Sequence, residues 1–108
     1  MTLVKNVEYD EVDLEYTLND TIDDTYTVAY DMTGMQLDVY FYREDDIQTK
    51  HLSSAGGTPE ITILTRTMTW LATGFSDRET TWYKCVLTNG TVVKTIMMGR
   101  VMIIKKKK

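Results

Sequence analysis

Apolar and polar residues alternate with period two along most of the chain, and that period belongs to strands with one covered and one wet face. Val12, Leu14, Tyr16 and Leu18 alternate with Asp13, Glu15 and Thr17. Tyr26, Val28 and Tyr30 alternate with Thr25, Thr27 and Ala29. Met35, Leu37, Val39 and Phe41 alternate with Gln36, Asp38 and Tyr40, and this strand runs to Arg43. Ile47–Leu52 reads as a short edge strand, and 60–64 and 68–71 as two more. Thr81–Thr88 puts Tyr83, Cys85 and Leu87 on one face. Asn89-Gly90 signals a type I′ hairpin turn into Thr91–Met97, because Asn-Gly tolerates the positive φ angles that turn needs. Gly99 predicts a bulge or a change of sheet before Val101–Ile104.

No window holds the i, i+3, i+4, i+7 spacing of an amphipathic helix. Threonine occurs 18 times, and β-branched side chains favour the pleated surface. About seven to nine short strands with frequent turns predict an all-β, immunoglobulin-like antiparallel β-sandwich. The expected division is residues 1–20 as an N-terminal strand or arm, 21–104 as the sandwich, and 105–108 as a basic tail.

With 108 residues the chain suits one domain. A single cysteine, Cys85, excludes an internal disulfide. The N-terminus has no apolar leader, so export by signal peptide is not expected. The apolar run 96–104 is too short for a membrane span and contains Arg100. Net charge is −4, yet residues 1–47 carry 13 acidic and 2 basic side chains while the remainder carries 3 and 10. Either the fold has oppositely charged surfaces, or its strands interleave and mix the charges.

Several segments together resemble the small immunoglobulin-like domains of tailed-phage virion proteins, such as the N-terminal domain of baseplate upper proteins. They are 25–30 (TYTVAY), 31–43 (DMTGMQLDVYFYR), Gly56-Gly57 with 61–63 (ITI), 82–90 (WYKCVLTNG) and 99–103 (GRVMI). Met32 stands where that family usually has Leu, and the first 20 residues match poorly. The resemblance implies a non-catalytic structural subunit of a virion: a head decoration, neck, tail or baseplate component. The resemblance also implies synthesis in the host cytoplasm, with other virion proteins or copies of itself as partners. The alternative is a stand-alone module that binds protein or carbohydrate.

The polar inventory offers little for catalysis. His51 is the single histidine, and any Ser-His or Cys-His mechanism has to use it. Its place beside Lys50 and a Ser/Gly loop predicts an exposed loop edge. Cys85 alternates in phase with core residues, as a buried thiol does. No catalytic residue and no cofactor are expected. Among the carboxylates, Asp20, Asp23 and Asp24 are the best placed for Ca²⁺, although none has EF-hand spacing; a solvated acidic face is the plain alternative. Lys105, Lys106, Lys107 and Lys108 could touch phosphates by charge alone, but a solubilising tail, or one docked on an acidic neighbour, fits better. Neither specific nucleic acid nor membrane is an expected partner.

The aromatic residues are more telling. Neighbours in a strand face opposite ways, so Tyr40, Tyr42 and Trp82 fall out of phase with the core. Tyr and Trp are preferred interface anchors, which makes these three the expected docking patch. Met97, Met98 and Met102 are expected to add adaptable apolar surface nearby.

Overall fold

The alternation of β4 (Gln36–Arg43) and β8 (Thr80–Asn89) builds the core. Leu37, Val39 and Phe41 of β4 and Tyr83, Cys85 and Leu87 of β8 are all buried. The computed structural model describes residues 10–29, 31–57, 59–76 and 79–105. Among them the remaining strands are β1 (Asp10–Glu11), β2 (Leu14–Thr17), β3 (Ile22–Thr27), β5 (Gln48–Ser53), β6 (Ile61–Leu64), β7 (Thr67–Ala72) and β9 (Val92–Ile104). The chain is all-β. A large sheet runs β1-β9-β8-β4-β5, with β2 also on β9, and a small sheet runs β3-β7-β6. This is the immunoglobulin arrangement, with three strands facing a larger sheet whose edge carries an extra strand.

Trp70 of β7 is wholly buried between the sheets. Its ring lies 4.7 Å from Tyr26 and meets Phe41 and Tyr83 edge-on at 6.4 and 6.2 Å. Edge-to-face geometry suits the ring quadrupoles. The Cys85 thiol contacts the Met68 sulfur at 4.0 Å. A free thiol and a thioether thus sit in a core where antibody domains carry a disulfide between sheets.

Four sequence expectations need correction. First, the strand expected over 12–18 is shorter, β2 at Leu14–Thr17, and a separate piece, β1, precedes it at Asp10–Glu11. Val12-Asp13 is the gap between the two, where the Asp13 carboxylate accepts the Arg100 amide at 3.0 Å, and both pieces pair parallel to β9. The sandwich is therefore not wholly antiparallel. Second, the strand expected at 25–30 is β3, which begins at Ile22; Tyr30 lies outside the described residues. Third, the hairpin turn is Gly90-Thr91, since Asn89 pairs with Val92. Gly90 has φ +65°, and glycine at the first turn position fits type II′ rather than I′. Fourth, the irregularity in β9 lies at Ile96, between Thr95 opposite Val86 and Met97 opposite Cys85, and not at Gly99.

Gly99 serves a different need. A side-chain carbon there would collide with the Val12 carbonyl oxygen. That same oxygen accepts the Tyr83 hydroxyl, and Val12 donates its amide to the Met98 carbonyl at 3.0 Å. Tyr83 stands two residues before Cys85, where immunoglobulin domains place a corner tyrosine; here it ties down the N-terminal strand. Gly99→Ala is expected to cost about 1–3 kcal/mol by overpacking in urea unfolding, with lost hydrogen-exchange protection at 10–13. Gly57→Ala, which meets open space, is expected to change stability by no more than about 0.5 kcal/mol.

Candidate functional site

The parity that sends Leu37, Val39 and Phe41 inward sends Asp38, Tyr40 and Tyr42 outward. On β8 it exposes Trp82 and Lys84 opposite them. The ladder places Tyr42 against Trp82 and Tyr40 against Lys84. It continues to Arg100 beside Trp82 and Met98 beside Lys84 on β9, and to His51 beside Tyr40 on β5. The predicted trio Tyr40, Tyr42 and Trp82 is thus brought together on the outer face of the large sheet. All three are half-buried.

Tyr42 and Trp82 stack at 4.3 Å with 19° between planes, and Tyr40 stacks on His51 at 4.6 Å and 8°. The two stacks adjoin, with Tyr40 and Tyr42 at 6.5 Å. Lys84 Nζ lies 5.9 Å from the Tyr42 ring centre, within cation–π reach. Trp82 Nε1 donates to the Arg43 carbonyl at 3.2 Å, which fixes the indole. Side chains stacked and tied in this way have little rotamer freedom left to lose.

One edge of the face is a polar network. Asp38 is 6% exposed, and its carboxylate accepts from His51 Nε2 at 2.8 Å and Gln36 Nε2 at 2.9 Å. Burial pushes the Asp38 carboxyl up, but hydrogen bonds with His51, Ser53 and Gln36 outweigh it and hold the group below its ordinary value. His51 is exposed, as expected, yet it lies within β5 rather than at a loop edge. Its partner Asp38 carries no sequence signal beyond its parity. The Tyr40 hydroxyl is held above its usual range by burial, the Asp38 charge and Tyr42.

Other expected residues lie apart. Lys105 is exposed directly after β9; Lys106, Lys107 and Lys108 lie outside the described residues. Asp20, Asp23 and Asp24 do not converge. Asp23 and Asp24 are consecutive in β3 and so face opposite ways, and Asp24 accepts the Tyr16 hydroxyl at 2.6 Å. No group of three His, Cys, Asp or Glu able to hold a metal occurs among the described residues. Met98 borders the aromatic face and Met102 is exposed, but Met97 is in the core. The two charge-biased halves of the sequence interleave in the large sheet, where β1, β2 and β4 of the acidic half flank β8 and β9 of the basic half. No described helix is long and apolar enough to cross a membrane.

No protein-family model and no curated protein matches the sequence. A crystal structure of an uncharacterized protein from Bacillus anthracis str. Ames is similar with a TM-score of 0.41 and 15% identity, over 91% of this chain and 85% of that one. A likeness that distant says nothing about function.

Two outcomes follow from these side chains. Because the folded-state Asp38 value lies below the ordinary 3.8, its stabilisation is present above that pH and is lost as pH falls through the folded value. Urea midpoints of the wild type and Asp38→Asn are expected to differ at neutral pH and to converge only as pH falls through the folded Asp38 value, below 3.8. The Cys85 thiol is pushed up to about 12, first by burial and then by the Asp38 charge, so it stays protonated and inert. A thiol reagent is expected to label Cys85 only at the rate of unfolding, rising with urea.

Proposed function

We infer that this chain is a non-catalytic assembly subunit of a bacteriophage particle, docking on a neighbouring protein through the outer face of its large sheet. The observation that carries the reading is the pinned double stack of Tyr42 on Trp82 and Tyr40 on His51, flanked by Lys84 and Arg100. Rigid, amphipathic aromatic side chains beside a few cations are the composition of interface hot spots. The phage setting is supported by the resemblance of residues 20–104 to virion immunoglobulin-like domains.

Two observations favour this over the alternatives. A carbohydrate module presents open ring faces to the sugar; here one face of Tyr42 is stacked on Trp82 and one face of Tyr40 on His51. A hydrolase needs a nucleophile activated by a base. Here His51 Nε2 is engaged by Asp38 and Ser53 also bonds to Asp38, while the Cys85 thiol is buried.

Mass spectrometry of purified particles of the phage encoding this sequence is expected to find the chain as a component. Hydroxyl-radical footprinting is then expected to spare Tyr42 and Trp82 in the particle and to label them in the isolated chain. A chain absent from the particle, or labelled equally in both states, overturns the reading.

A further inference from the structure

The small sheet has an outer face of quite different chemistry. Facing outward, Thr27 and Thr67 pair across β3 and β7, with Leu64 of β6 beside Thr67. In the next row Thr25, Thr69 and Thr62 stand side by side. A third row has Leu71 between Asp23 and Glu60, the latter accepting the Leu71 amide at 2.8 Å. Leu64 is 75% and Leu71 57% exposed. The upper two rows carry no charge, in a chain of which 26% of residues are charged.

We propose that this threonine–leucine face is a two-fold contact with a second copy of the same chain. In a two-fold contact each patch meets itself, so an off-axis charge faces another patch of the same charge content. The net charge of −4 makes self-contact unfavourable over most of the surface; two neutral rows remove that repulsion here. The aromatic face of the large sheet, with Lys84 and Arg100 on it, lacks this property and calls for a different partner.

The acidic row decides the direction of the axis. An axis along the strands would bring Asp23 of one copy onto Glu60 of the other. An axis across them sets the acidic row of one copy by the Thr65-Arg66 turn of the other, where Arg66 meets Asp23 and Glu60. Threonine suits such a contact because its χ1 is already restricted. The Thr25–Thr69 and Thr27–Thr67 hydroxyl pairs are 3.4 Å apart, long for an O–H···O bond, so hydroxyls remain available to a mate. Three strands about 4.8 Å apart and about 20 Å long make a patch well below the roughly 800 Å² per partner of a standard interface. The contact is accordingly weak alone and effective where neighbours in an assembly hold copies together.

Sedimentation equilibrium over roughly 10 μM to 1 mM tests this on the full chain. The expected result is a reversible monomer–dimer equilibrium. Thr69→Arg, which brings a charge to the central strand, is expected to weaken it by at least about tenfold, while Tyr42→Ala on the other sheet leaves it unchanged. Circular dichroism and urea midpoints check that both variants fold. Should Thr69→Arg fail to fold, Thr62→Lys is the replacement, on an edge strand whose solvent face tolerates lysine. A monomer throughout the range overturns the proposal. So does a dimer that survives the threonine-face variants, as an edge-to-edge pair through the sides of β3 or β6 that the described strands leave unpaired would.

Discussion

Trp70 is the contact on which both faces of this domain depend. Its indole spans the gap between sheets and meets Phe41 and Tyr83 of the large sheet and Tyr26 of its own. No disulfide holds the sheets together, so apolar burial and this aromatic packing must. Burying a side chain of this size is worth several kcal/mol. Part of that is offset, because Trp70 Nε1 is buried with no hydrogen-bond partner in the described structure, at a cost of about 1–3 kcal/mol. Once Phe41 and Tyr83 are held inward against Trp70, strand parity leaves Tyr40, Tyr42 and Trp82 no direction but outward. The aromatic face is thus a consequence of the core.

A second constraint acts at the edge. The N-terminal strand joins β9 rather than β3, and Gly99 and Tyr83 make that possible by admitting and then tying the Val12 carbonyl. This choice covers part of the β9 edge with parallel pairing and leaves β3 open along the described chain. The β3 side is closed over the core instead by the Tyr16 hydroxyl bond to Asp24, and burial together with that carboxylate keeps the Tyr16 hydroxyl well above its ordinary range.

What was legible in the sequence was whatever one strand decides locally. Period-two alternation located β4 and β8 and predicted which aromatic residues leave the core, because side-chain direction depends only on parity. What was not legible depends on a partner strand. The parallel pairing of β1 and β2 leaves no mark in their own residues, and the break at Val12-Asp13 is set by Gly99 and Arg100, far away in sequence. Gly99 read as a bulge because an isolated glycine in a strand usually signals either irregularity or close approach, and the sequence alone does not choose between them. Asn89-Gly90 was placed one residue early since register, not composition, decides which residues sit at the tip.

The same limit applies to the two outer faces. Tyr40, Tyr42 and Trp82 were identifiable as outward-facing, but their stacking needed β4 beside β8, and the His51–Asp38 bond needed β5 beside β4. The threonine face drew no attention strand by strand, because threonine in a strand is ordinary. It becomes a surface only when β7 sets Thr67 and Thr69 between the matching positions of β3 and β6. The two faces then differ in a way that follows from charge. One mixes aromatic rings with cations and an internally satisfied carboxylate, which suits the partner of different composition proposed for it. The other is neutral over most of its area and can meet itself. Because the faces lie on opposite sides of the sandwich, the two contacts proposed for them do not exclude each other.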